Sequence, residues 1–466
     1  MKKIKNYLLL SFFVSFIGYS CNTQHTSKNT MSDTISIQNG KIYSHITCSK
    51  DATVNYSIYI PKSYEQGKNI PVIFAFDPHA HGMLPVDLLK DDAEKFGYMV
   101  VGSNNSKNGL AWERNKAMID VLFDDIFAKY SIDKRRVYTI GFSGGSRVAS
   151  LVALLKGGIN GVIGCGAGFP NFNQPIENKF NYLGFVGNAD FNMFEMNKLD
   201  KELSTMGFTH YIEVFNGKHE WIPKTMVADV FVWMEFNAIK DNLIARKDTL
   251  LVNTLLNYQK KLEYFNKTND TYNEYQMYKK IICFFDKLTD ISDYEKKLKE
   301  MESSPALKKI LLKKEQIEKR EMELQQSYSE AMQTKDLAWW KKEMIKLAKQ
   351  VGDSSKMEEA LLMKRTMSYL SLVAYMNSSS ALNANKLEEA SKYIAIYALV
   401  DPTNVDQCYF EACLNSLQGN TDKAFEALEK AIKLGFSDKE KMVNDNMLDH
   451  IKGLAKFQEI IGKLNN

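Results

Sequence analysis

Three short segments of the chain hold residue types that can do chemistry together. Gly141-Phe142-Ser143-Gly144-Gly145 follows the apolar stretch 137–140 and precedes a helical run. A serine on such a strand-to-helix turn is held with its hydroxyl outward, and small neighbours keep the tight turn free of clashes. A serine hydroxyl is a poor nucleophile at neutral pH. It needs a base to take its proton, and the base needs an acid to fix its tautomer. One known arrangement built on such a turn takes them in the chain order Ser, Asp or Glu, His. Asp190 closes Gly187-Asn188-Ala189-Asp190, directly after the apolar stretch 182–186. His219 lies in Gly217-Lys218-His219-Glu220-Trp221-Ile222-Pro223, after the stretch 211–215. Singly, each has a blander reading as a glycine-rich turn, a solvated acid or a surface histidine. Three matches in the required order point to acyl transfer with Ser143 as nucleophile, His219 as base and Asp190 as its orienting acid. Glu195 and Glu220 are the neighbouring alternatives for the acid, and Asp190 is preferred because Glu195 already falls in the next helical run.

The oxyanion formed by attack at a carbonyl needs two aimed N–H donors. Gly144 supplies the first. The second is expected from Asp77-Pro78-His79-Ala80-His81-Gly82, after the apolar run 71–76. Pro78 has no N–H, so His79 or its neighbours are the candidates. His79 and His81 lack an evident third ligand, so no metal is expected, and nothing in the chain calls for a cofactor. Ser103-Asn104-Asn105-Ser106-Lys107-Asn108-Gly109 follows another strand-like run. Asn104, Asn105 and, from the histidine segment, Trp221 are candidate substrate contacts; a plain polar turn is an equal reading of 103–109.

These segments resemble the esterase group of α/β-hydrolases that includes feruloyl esterases, acetylxylan esterases and polyhydroxybutyrate depolymerases. The carrying residues are Gly141 to Gly145 around Ser143, Gly187 to Asp190, and Gly217 to Trp221 around His219. The resemblance spans residues 50–240 and implies hydrolysis of carboxylic esters, with acylated polysaccharide as a candidate substrate. The chain departs from the group at the oxyanion loop, where His-Gly is usual. A serine peptidase, and an interaction scaffold with a vestigial hydrolase, are the competing readings.

Positioning these residues requires a sheet. Residues 54, 56, 58 and 60 alternate as in a half-buried strand, and 71–76 is a continuous apolar run that suits a buried parallel one. Further strand-like runs at 98–101, 137–140, 162–165, 182–186 and 211–215 alternate with helical patterns at 115–130, 146–156 and 194–206. The fold class expected is therefore α/β, a doubly wound, mostly parallel α/β-hydrolase sheet over residues 36–240. From residue 241 strand-like runs vanish, and 314–332 and 339–351 read as long helices. Residues 241–370 are an unphased helical region. In 371–466, Ala390, Ile394 and Pro402 recur 34 residues on as Ala424, Leu428 and Phe436. This resembles the tetratricopeptide repeat, whose small residues let antiparallel helices approach and whose concave face takes a protein or peptide partner. The triad draws on none of residues 371–466, so a chain ending near residue 240 is expected to keep turnover of a small ester.

The N-terminus reads as a leader. Lys2, Lys3 and Lys5 precede an apolar stretch over 8–19, too short to span a bilayer, and Cys21 follows Gly18-Tyr19-Ser20. Residues 1–20 resemble a lipoprotein signal peptide, with Cys21 lipidated and 21–35 as a tether to the bacterial cell envelope; Tyr19 departs from the usual small residue. Removing 1–20 takes the formal charge from +4 to +1, which leaves no electrostatic case for nucleic acid. Five scattered cysteines follow Cys21, without metal-ligand spacing, and Cys408 and Cys413, five apart, are badly placed for a disulfide.

Overall fold

The computed structural model describes residues 37–170 and 176–464; the leader and Cys21 lie outside them. Eight strands form the sheet: β1 Ile42–Thr47, β2 Asn55–Tyr59, β3 Ile70–Phe76, β4 Met99–Ser103, β5 Ile132–Phe142, β6 Gly161–Cys165, β7 Asn181–Gly187 and β8 His210–Phe215. Their spatial order is β1-β2-β4-β3-β5-β6-β7-β8. β1 and β2 pair antiparallel, as do β2 and β4, whereas β3 with β4, β3 with β5 and β7 with β8 are parallel. The intervening helices are α1 Met83–Phe96, α2 Trp112–Lys129, α3 Gly144–Lys156, α4 Met193–Met206 and α5 Lys224–Lys240. This is the doubly wound, mostly parallel sheet expected from the alternation of strand and helix patterns.

The middle strands are apolar because both faces are covered. Val72 to Phe76 of β3 are all fully buried. β2 differs from expectation: its residues 56–59 are buried on both faces instead of one. Its Ser57 is tolerated there because the hydroxyl donates to the Ser44 carbonyl at 2.9 Å. α3 buries Gly145, Ser146, Ala149, Ser150 and Ala153, small residues that let its backbone come close to the sheet.

Contacts divide the chain into two compact units. The first holds the described residues up to Gly164, those of Phe169–Phe180, and Pro223–Met234. The second holds Cys165–Gly168, Asn181–Ile222 and everything from Glu235 onward. By packing, β7 and β8, with the loops that carry Asp190 and His219, group with the helical region. The reason lies on β8, where Lys280, fully buried, pairs with Glu213 at 2.7 Å and Tyr211 donates to the Gln276 carbonyl at 3.3 Å.

The helical region comprises α6 Asp248–Lys267, α7 Thr271–Phe285, α8 Ser292–Ser303, α9 Pro305–Thr334, α10 Leu337–Val351, α11 Met357–Asn383, α12 Leu387–Val400, α13 Val405–Leu417 and α14 Thr421–Lys433, followed by short closing helices. α9 begins at a Ser304 cap with Pro305 in its first turn, the position where proline's missing N–H costs nothing. Ala390 of α12 and Ala424 of α14 are fully buried, as are Cys408 and Cys413, which are free thiols. Among the described residues no helix is long and apolar enough to cross a membrane.

Candidate active site

The elbow in the first unit is built by close backbone approach. Ser143 joins β5 to α3 with φ 52° and ψ −121°, a conformation that costs a non-glycine residue about 1–3 kcal/mol and persists only where its surroundings enforce it. The enforcement comes from three glycines. A Cβ on Gly141 would stand 2.1 Å from the Gly145 carbonyl oxygen, and one on Gly145 would stand 2.0 Å from the Phe76 carbonyl oxygen. A Cβ on Gly144 would meet the Asn108 carboxamide at 1.7 Å. The Ser143 carbonyl accepts the Ser146 N–H at 3.0 Å and starts the helix. Gly144 opens α3, so its N–H is among those that no intrahelical carbonyl can take.

Gly145→Ala is expected to destabilise the protein by about 1–3 kcal/mol, because the methyl meets backbone and not a side chain that can turn away. Thermal unfolding checks this, and an unshifted transition would show that the elbow tolerates a wider approach.

The loop after β3 is organised by the buried Asp77. Its Oδ1 accepts the His79 N–H at 2.9 Å and lies 3.5 Å from the His81 nitrogen, and the Asp77 carbonyl accepts the Ala80 N–H at 3.1 Å. The His79 amide, expected as the second oxyanion donor, is thus committed to the turn, while the His79 side chain is 71% exposed. The loop is tied to 103–109 by the Asn108 N–H, which donates to the Pro78 carbonyl at 2.9 Å. Asn104 and Asn105 serve the scaffold here. Asn104 donates to the Ser44 carbonyl and to Asn55, each at 2.9 Å, and Asn105 donates to the Thr53 carbonyl at 3.0 Å. The side chain that reaches the elbow is Asn108, which the polar-turn pattern does not distinguish from its neighbours.

The second unit carries Asp190 and His219. The parallel register of β7 and β8 ends at Gly187 opposite Phe215, and the loops beyond continue to bond. The Asn188 N–H donates to the Phe215 carbonyl at 2.8 Å and the Ala189 N–H to the Gly217 carbonyl at 2.9 Å. Gly187 must lack a side chain, since a Cβ would lie 2.4 Å from the Lys218 carbonyl oxygen. Asp190 is wholly buried, and both its oxygens stand 2.9 Å from Nδ1 of His219. With Nδ1–H donating to this carboxylate, Nε2 is the nitrogen left to exchange a proton. Oδ1 of Asp190 also accepts the Asn192 N–H at 2.8 Å, and the Phe191 ring lies against the imidazole at 4.3 Å between centroids. Trp221 is half-buried two residues beyond His219.

The alternative acids are engaged elsewhere. Glu195 accepts the Gly168 N–H at 2.8 Å, and Glu220 accepts the Lys218 N–H at 3.0 Å. His210 stands 3.2 Å from Asp200 under α4. The thiols are poor rivals to a serine: burial pushes Cys283 up to about 11 and Cys48 up to about 12, so neither is a thiolate at neutral pH. Among the described residues no three His, Cys, Asp or Glu side chains cluster as a metal site.

Strand order, antiparallel β2 and the glycine-built elbow define the class: the chain has the α/β-hydrolase fold. No protein-family model and no curated protein matches it. Solved structures similar to it include an S-formylglutathione hydrolase of Staphylococcus aureus, 12% identical over 39% of this chain and 92% of that one, with a TM-score of 0.32. Others are an esterase of Pyrobaculum calidifontis, 14% identical over 42% and 86% with a TM-score of 0.35, and a ferulic acid esterase, 15% identical over 43% and 98% with a TM-score of 0.34.

Proposed function

We propose that the protein is a serine hydrolase of carboxylic esters that works through an acyl-enzyme on Ser143. The observation that carries this reading is the pairing of His219 Nδ1 with the buried Asp190 carboxylate, on loops beyond the strands that follow the Ser143 elbow. In the first half-reaction Ser143 Oγ attacks the acyl carbon while Nε2 of His219 takes its proton. The oxyanion is met by the Gly144 N–H at the positive end of α3. His219 then protonates the departing alcohol, and the acyl group stays on Ser143. In the second half-reaction His219 deprotonates water, which attacks the acyl carbon, and the imidazolium returns that proton to Ser143 Oγ as the acyl–Oγ bond breaks and the acid leaves. Asp190 keeps Nδ1 protonated throughout and stabilises the imidazolium.

Purified protein is expected to hydrolyse p-nitrophenyl esters. A panel of short and long acyl chains with acylated glycans alongside identifies the acyl and alcohol parts. Turnover of peptide amides with no turnover of any ester would defeat the reading. We further propose that Cys21 carries a lipid and holds the enzyme on the cell envelope, and that the helical region binds a protein or peptide partner. Cys21→Ser is expected to move the protein out of the membrane fraction. A wild-type chain already soluble outside the cell would contradict the anchor.

A further inference from the structure

The acid loop is gripped from a distant part of the chain. Arg365 of α11 donates from a terminal guanidinium nitrogen to the Asn188 carbonyl at 2.9 Å, two residues before Asp190. The same guanidinium is held by Glu321 of α9, through Nε at 2.7 Å and its other terminal nitrogen at 2.6 Å. Both side chains are buried, at 9% and 2% exposure. Burial pushes the Glu321 carboxyl up, and the hydrogen bond from Arg365 opposes it. One turn earlier on α9, Glu318 accepts the Asn197 carboxamide at 2.6 Å and stands 3.5 Å from Lys201, fastening α4, the helix that follows the acid loop. α9 thus presents two carboxylates three residues apart, one directed to the acid loop through Arg365 and one to α4.

A buried charge pair is a weak device for stability, because desolvation offsets most of its attraction. It is a good device for fixing geometry, since the planar guanidinium orients what it binds. The Asn188 peptide has its N–H on Phe215 and its carbonyl on Arg365, so both ends of the residue that leads to Asp190 are fixed. We propose that Arg365, oriented by Glu321, is a positioning residue that holds the acid loop so that Asp190 meets His219, making α9 and α11 part of the enzyme. This rests on the triad reading above. It also replaces the expectation that a chain ending near residue 240 suffices.

The test uses the full-length protein and a small soluble ester, with kcat expressed per site titrated by a fluorophosphonate. Arg365→Met leaves Glu321 buried and unpaired, so the double variant Arg365→Met/Glu321→Met, which removes both charges together, guards against simple unfolding. In both, kcat per titrated site is expected to fall about 10- to 100-fold with KM little changed, as for a misplaced catalytic group. Arg365→Lys, which keeps the charge and a donor, should recover part of the loss. In an Asp190→Ala background the Arg365→Met change should have little further effect, because the two act on one step. A purely structural role would lower the titratable fraction and the unfolding temperature while leaving kcat per site in place. Wild-type values for the double variant, or an undiminished Arg365→Met effect in the Asp190→Ala background, would overturn the proposal. Wild-type protein that neither cleaves esters nor takes the fluorophosphonate overturns the triad reading, and this inference falls with it.

Discussion

Ser143→Ala should abolish ester turnover, with kcat falling by about four to six orders of magnitude. The expectation rests on geometry and not on the residue type alone. Ser143 occupies a strained backbone position that glycines at 141, 144 and 145 create by approaching carbonyls and the Asn108 side chain. Alanine adopts that backbone at similar cost, so the variant should fold and unfold like the wild type while losing the hydroxyl proposed to attack. Residual rate over water would come from binding and the oxyanion donors. Unimpaired turnover would remove Ser143 from the chemistry and point to Ser146, which is fully buried in α3, or to another mechanism.

His219→Ala should cost nearly as much, because members of such a constellation act as a unit. Asp190→Ala should cost less, about ten-thousandfold in kcat, since it leaves nucleophile and base present but releases the imidazole tautomer. Glu195→Ala and Glu220→Ala should leave kcat close to wild type, as each carboxylate accepts a backbone N–H while Nδ1 of His219 is paired with Asp190. Steady-state kinetics on one small ester ranks the four variants. A greater loss for either glutamate than for Asp190 would show the acid to be misassigned.

The site and the sheet differ in how far the sequence reveals them. The Ser143 turn and the Asp190–His219 pair were legible because each residue follows an apolar strand in a short glycine-bearing segment. α5 was not, because it is buried all round: Val227, Val230, Phe231, Trp233, Met234 and Phe236 leave no polar face to mark a helical period. α1 was hidden by Pro85, which is permitted in a first turn but reads as a breaker. β5 runs from Ile132, five residues before its apolar core, through the charged stretch 133–136. Asn104 and Asn105 looked like ligand contacts because a polar loop at a sheet edge suits either role, and only the hairpin of β1 and β2, distant in sequence, claims their amides. The grip of Arg365 on Asn188 spans 177 residues, and no local pattern announces a contact of that range.

The central claim is a nucleophile at Ser143 activated by His219, and the site of covalent capture tests it most directly. Full-length protein incubated with a fluorophosphonate, digested and mapped by mass spectrometry should carry one adduct, on Ser143. The adduct should fail to form at a comparable rate in His219→Ala, whose serine lacks its base. An adduct on any other residue, or equal labelling of Ser143 with and without His219, would contradict the account.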